Sequence, residues 1–162
     1  MKKYNEEEKL EIVEILEFLL KSDQSTEKYA IEVLYINEVY SVKRVTMLPC
    51  TPPFITGLMN FRGKIISVID LRNFLGFTSK KISVENIKKV IVVKVNEIEV
   101  GIAVDGILGC NEVFVSEIQR NILNITNLNT KYFKGITKER TIVLDIKNIM
   151  MDEKMIVDEE VI

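Results

Sequence analysis

Residues 57–76 read Gly57-Leu-Met-Asn-Phe-Arg-Gly-Lys-Ile-Ile-Ser-Val-Ile-Asp-Leu-Arg-Asn-Phe-Leu-Gly76. Gly57 to Gly63 reads as a glycine-bounded turn carrying Asn60 and Arg62. Ile65, Ile66, Val68 and Ile69 then form an apolar run too continuous for a strand with one wet face, which predicts an interior strand. Asp70 stands where an N-cap belongs, Leu71, Phe74 and Leu75 follow at helical spacing, and Gly76 falls at the C′ position that ends a short helix. The unit is a turn presenting an arginine, a buried strand that aims it, and a capped helical turn.

On the N-terminal side of this unit, strands are predicted at about residues 15–21 and 28–33, joined across Ser22-Asp-Gln-Ser-Thr26. Residues up to about 13 read as a frayed helix or tail, because Glu6, Glu7, Glu8 and Lys9 are good helix formers. Residues 36–42 continue extended or as a turn. Pro49, Pro52 and Pro53 make a stiff loop that delivers Phe54 and Ile55 to the glycine turn. On the C-terminal side, Val90–Val95 and Ile98–Val104 form a hairpin, with Gly101, Gly106 and Gly109 marking bulges or close backbone approaches. Residues 111–130 carry no clear period. A last strand spans about 140–145, Asp145 caps a helix to about 150, and Met151 to Ile162 forms an acidic tail with some disorder.

The chain repeats itself. Phe54-x-x-Gly57-Leu58 matches Tyr132-x-x-Gly135-Ile136, Ser67–Leu75 matches Ile142–Met150 by residue class, and Tyr29–Val33 matches Val100–Val104. Two similar units of about five short strands are therefore expected, each curling into a barrel to hide its edges. The expected boundaries are an extension over 1–13, subdomains over 14–80 and 81–150 with strands open to exchange between them, and a tail over 151–162. Gly57 to Asp70 is thirteen positions, whereas Gly135 to Asp145 is ten. The additional residues fall around Asn60–Gly63, as a binding device or as simple variation in loop length.

Composition narrows the chemistry. The 162 residues include no histidine, which removes Ser-His-Asp and Cys-His catalysis, phosphohistidine relay and histidine-based metal binding. Carboxylate, lysine or tyrosine chemistry stays open. Cys50 and Cys110 have no CxxC partners and read as buried or neutral thiols, not metal ligands. A net charge of −2 with interspersed signs offers no basic face for nucleic acid. No apolar run reaches membrane-spanning length, and the start lacks the apolar core of a signal peptide, so a cytoplasmic location is expected.

Arg62 is the leading candidate for function, because a guanidinium on a turn presents a planar donor fork to carboxylates or carbonyls. It reads either as a partner contact or as half of an internal pair with Glu38, and the two are compatible. Asp70 and Asp145 occupy equivalent places in the repeats and read as N-caps, not a catalytic dyad. Asp105 beside Gly106 reads as a turn former.

On these residues the chain resembles the CheW chemotaxis coupling family. The match rests on Tyr29-Ala-Ile, Asn37-Glu-Val39, Pro49 with Pro53, the Gly57–Arg72 block, Leu75-Gly76, Val92-Val93, Gly101-Ile-Ala-Val-Asp105, Gly135-Ile136 and Leu144-Asp145. The resemblance implies an all-β fold of two five-stranded SH3-like barrels with short capping helices, no catalytic residues, no metal and no cofactor. It implies an adaptor that joins the cytoplasmic tip of transmembrane chemoreceptors to the regulatory domain of the histidine kinase CheA. Receptor contact maps to Glu38, Val39, Gly57, Asn60, Phe61, Arg62 and Gly63, and kinase contact, loosely, to Val42 and Val45. Phe61 and the Gly106-Ile-Leu-Gly109 run depart from the family pattern. A regulatory-type docking module of a larger two-component protein and a small carboxylate-dependent enzyme are the alternatives.

Overall fold

The structure, a computed structural model, describes residues 11–22, 25–78, 80–120 and 130–155. Its strands are β1 (Ile12–Lys21), β2 (Thr26–Glu32), β3 (Ile36–Ser41), β4 (Ile55–Phe61), β5 (Lys64–Ile69), β6 (Lys89–Val95), β7 (Ile98–Val104), β8 (Gly106–Phe114), β9 (Phe133–Ile136) and β10 (Ile142–Leu144). Two helical turns, α1 (Leu71–Phe74) and α2 (Ile146–Met150), come directly after β5 and β10.

Ten strands form two sheets of five among the described residues. Sheet I runs β3-β6-β7-β5-β4 and sheet II runs β8-β1-β2-β10-β9. The two orders correspond position by position. In each, the strand before the capped helix lies parallel to a neighbour, β5 with β7 and β10 with β2, while the other pairs are antiparallel. The repeat seen in sequence is therefore a repeat of topology.

Both sheets close. Past β3 the chain reaches Thr46, which exchanges two hydrogen bonds of 2.8 Å with Leu58 on the opposite edge strand. Past β8 it reaches Gln119, which does the same with Ile136 at 2.9 and 3.0 Å. The approach is close enough to require glycine. A Cβ at Gly57 would sit 2.3 Å from the Thr46 carbonyl oxygen, and one at Gly135 would sit 2.9 Å from that of Gln119. These are the two glycines of the aromatic-x-x-Gly repeat, so the motif is the seal of each barrel.

Each barrel has its own interior, and a third cluster joins them. Val45, Met59, Phe61, Ile66, Val68, Val90 and Val92 pack inside sheet I. Ile15, Ala30 and Val143 pack inside sheet II. The largest cluster takes Phe18 and Tyr29 from sheet II, Ile69, Ile91 and Ile102 from sheet I, and Phe54, Phe74 and Tyr132 from the connections. The two barrels thus share one core.

The capped turns form as expected. Asp70 Oδ1 accepts from the Arg72 N–H at 3.0 Å and Asp145 Oδ1 from the Asn148 N–H at 3.0 Å. After α1, the Gly76 N–H donates to Asn73 O and the Phe77 N–H to Arg72 O, with Gly76 at φ +83°, which is a Schellman ending.

Several expectations need correction. The helix or tail proposed up to residue 13 lies outside the described residues over 1–10, and Ile12 and Val13 already belong to β1. Gly57 to Gly63 is mostly strand: β4 runs through Phe61, and only Arg62 and Gly63 turn. Ile65 is not core but 64% exposed, because it sits on the outer face of β5. The boundary between sheets does not fall at residue 80. Sheet I is the continuous stretch 36–104, whereas β1 and β2 cross over to join β8, β9 and β10. The tail is ordered through 155, since Met155 is buried in the shared core; residues 156–162 lie outside the described residues. Cys50 and Cys110 are both exposed, on the proline loop and on the edge strand β8. Among the described residues no helix is long and apolar enough to cross a membrane.

Candidate functional site

β4 and β5 pair from Ile55↔Ile69 out to Phe61↔Lys64, which leaves a two-residue turn. Arg62 at φ 49° and Gly63 at φ 81° are both left-handed, the geometry whose twist suits a tight hairpin. Asn60 Oδ1 accepts from the Gly63 N–H at 3.1 Å and ties the turn off. A left-handed conformation costs a non-glycine residue about 1–2 kcal/mol. Arg62 is therefore held there by the strands on either side.

Barrel closure determines what Arg62 meets. It brings the edge strand β3 round to the end of β4, so Glu38 Oε2 lies 3.1 Å from an Arg62 terminal nitrogen. That oxygen is itself buried and has no hydrogen bond besides this charge contact. The guanidinium carbon lies 5.4 Å from the centroid of the Phe61 ring, which in turn meets Tyr40 edge-on at 5.7 Å. One edge of the fork is thus fixed by a carboxylate and an aromatic face. The side chain is still 69% exposed, so the remaining donors are presented outward.

The alternation of β4 and β5 adds an apolar floor beside this corner. Leu58 faces Ser67 and Asn60 faces Ile65 across the hairpin, on the side away from the barrel interior. Val100 of β7 continues the face through its parallel pairing with Ser67. Leu58, Ile65, Ser67 and Val100 line, with Ile98 and Met155, a groove of about 390 Å³, and its Ile65 is the cross-strand neighbour of Asn60 in the corner.

The expected contact residues divide accordingly. Asn60, Arg62 and Gly63 are exposed on the corner, Glu38 is half-buried beneath it, and Val39 is exposed on the opposite face of β3. Gly57 and Phe61 are buried, the first as the barrel seal and the second as the ring under the arginine. They hold the corner in place. Val45 is also buried, inside sheet I, and Val42 packs half-buried against the same cluster. The residues not anticipated are Leu58, Ile65, Ile98 and Met155. The first two were readable from the period-two pattern once the turn is placed at Arg62-Gly63.

A second charged cluster links the barrels. Arg72 of α1 lies 3.3 Å from Asp70 and 3.7 Å from Asp105. The Asp105 carboxylate also accepts from the Lys21 N–H at 2.6 Å. Burial pushes the Asp70 pKa up, and Arg72 pulls against it. Asp70 and Asp145 cap different helices behind different sheets, so they form no dyad. Among the described residues no group of three or more His, Cys, Asp or Glu side chains could hold a metal ion.

A duplicated, sealed pair of β-barrels presenting an arginine corner and an apolar groove defines a protein-docking scaffold. The family model for the CheW-like domain matches residues 14–154, and the chain belongs to this family of chemotaxis proteins. It is 33% identical over 132 residues to the chemotaxis protein CheW of Klebsiella aerogenes, covering 80% of this chain and 78% of that one. It is also 33% identical over 127 residues to that of Thermotoga maritima, covering 75% and 79%. Among solved structures, the scaffolding protein TtCheW from Thermoanaerobacter tengcongensis superposes with a TM-score of 0.71 at 25% identity, over 89% of this chain and 96% of that one.

Proposed function

We propose that this protein is a cytoplasmic adaptor without catalytic activity of its own, coupling transmembrane chemoreceptors to the histidine kinase CheA. The receptor's helical tip lies along the groove of Leu58, Ile65 and Ile98, and Arg62 grips its polar side. The observation that carries this reading is the guanidinium itself, aimed by Glu38 and Phe61 yet mostly exposed, beside an apolar face that the fold leaves uncovered. A helix with one apolar stripe and acidic or carbonyl acceptors alongside fits such a surface. The kinase's regulatory domain docks on the segment after β3. There Lys43, Arg44 and Met47 are exposed, and Val42 and Val45 anchor them from inside.

Arg62→Ala tests this directly. The Arg62–Glu38 pair is substantially exposed, so its loss changes stability by only about 0–1 kcal/mol. Binding to a receptor cytoplasmic hairpin should weaken at least about tenfold, the equivalent of about 1.4 kcal/mol. Binding to the kinase regulatory domain, measured on the same sample by pull-down or calorimetry, should not change. Undiminished receptor binding by a folded Arg62→Ala protein would refute the assignment.

A further inference from the structure

The groove beside the arginine corner has one wall made by the end of the described chain. Met155 is buried against the shared core and also lines the groove with Leu58, Ile65, Ile98 and Val100. The turn before it is pinned. The Tyr132 hydroxyl donates to Asp152 Oδ2 at 2.6 Å, Lys131 Nζ lies 3.1 Å from the same oxygen, and the Met155 N–H donates to Asp152 O at 3.0 Å. Met155, the last described residue, therefore stands in the groove wall.

The chain continues as Ile156-Val-Asp-Glu-Glu-Val-Ile162, two apolar pairs flanking three carboxylates. Seven extended residues reach roughly 23–25 Å. The groove side of β5, from Ile65 to Ile69, is about 13 Å at a strand's rise. The segment is thus long enough to cross the groove from its tether. The chemistry also matches: the mouth offers exposed Ile65, and Arg62 and Lys64 stand exposed at the outer end, opposite in sign to the carboxylates. The one acid on the wall, Glu99, is engaged by Asn37 Nδ2 at 2.7 Å. A tether this short presents its segment at millimolar effective concentration, so weak contacts suffice.

We propose that residues 156–162 dock back across this groove and act as an intramolecular competitor for whatever binds there. The docking stands on the groove and its tether; the competition also rests on the receptor assignment made above. A groove covered nine-tenths of the time would lower apparent receptor affinity about tenfold.

Methyl NMR of the full chain tests the docking without any receptor. Ending the chain after Met155, or introducing Val161→Asp with Ile162→Asp in the full chain, should shift the Ile65 and Ile98 methyl signals. The signal of Ile15, inside the other barrel, should stay and so report an intact fold. Both variants should then bind a receptor cytoplasmic hairpin about tenfold more tightly than the full chain. Unmoved Ile65 and Ile98 signals in both variants overturn the docking. Moved signals with unchanged receptor affinity overturn the competition, and Arg62→Ala then shows separately whether the receptor uses the corner at all.

Discussion

Replacing Gly57 with alanine measures how firmly the first barrel is sealed. The new Cβ would lie 2.3 Å from the Thr46 carbonyl oxygen and 2.9 Å from both the Thr46 carbonyl carbon and Val45 Cγ1. The nearest of these is roughly 1 Å or more inside van der Waals contact. The obstacle is backbone, so no rotamer change relieves it. That same oxygen accepts the Leu58 N–H, and the Thr46 N–H donates back to Leu58 O, both at 2.8 Å. Forced overpacking costs about 1–3 kcal/mol. Two strained or lost hydrogen bonds add about 0.5–1.5 kcal/mol each. The expected loss is about 2–6 kcal/mol, a large share of the roughly 5–15 kcal/mol that holds a domain together. Urea unfolding followed by far-ultraviolet circular dichroism reads it as a lower midpoint at similar slope. Gly135→Ala should behave alike in the second barrel, where the new carbon meets Ile118 Cγ2 at 2.7 Å and Gln119 O at 2.9 Å. Gly106→Ala is the control, with Leu19 Cδ1 at an ordinary 3.5 Å. If Gly57→Ala costs less than about 0.5 kcal/mol, like a neutral surface change, the sealing argument is wrong.

Glu17 is buried, and its carboxylate accepts from Asn111 Nδ2 at 2.8 Å and Thr141 Oγ1 at 3.0 Å. Glu17→Ala strands the fully buried Thr141 hydroxyl, while the exposed Asn111 amide can turn to water, and should cost about 1–3 kcal/mol in thermal or urea unfolding, more than Glu17→Gln does. Asp145→Ala removes the cap on the Asn148 N–H and should cost about 1 kcal/mol by the same measurement. Burial, and then the hydrogen bond to Glu27, hold the Tyr29 hydroxyl well above the ordinary tyrosine pKa. Its folded value exceeds the unfolded one, so this contribution to stability is intact below about pH 10 and is lost as pH rises beyond it. Ultraviolet titration of the five tyrosines should therefore leave Tyr29 un-ionised until circular dichroism shows unfolding; ordinary ionisation of all five in the folded protein would refute this.

The Asp70 and Asp145 caps, the Gly76 ending and the alternating β6–β7 hairpin were legible because each rests on neighbours a few residues away. The repeat was legible because Phe54-x-x-Gly57 and Tyr132-x-x-Gly135 carry the same local demand, although their sealing partners at Thr46 and Gln119 were not. Pairings across the chain left no such mark. Nothing in Ile12–Lys21 says that its neighbour is Gly106–Phe114, because an apolar alternation suits any partner with a matching face. Ile65 was misplaced for a related reason: a run of isoleucines hides which member faces out until the turn before it is fixed. Of the two readings that chemistry left open for Arg62, the internal pair with Glu38 is present at 3.1 Å, whereas the groove could not be read from the sequence, since its walls come from β4, β5, β7 and the turn at Met155.

The crossed assignment of β1 and β2 has a consequence for a chain that emerges from the ribosome one residue at a time. The stretch 36–104 holds every strand of sheet I and can close as soon as it is clear of the exit tunnel. The N-terminal hairpin, made first, must wait with both its flanks unsatisfied until β8 and then β10 arrive. Vectorial synthesis therefore builds the middle of this protein before its beginning. Slow translation beyond residue 104 prolongs the interval in which an orphan hairpin is available to wrong partners.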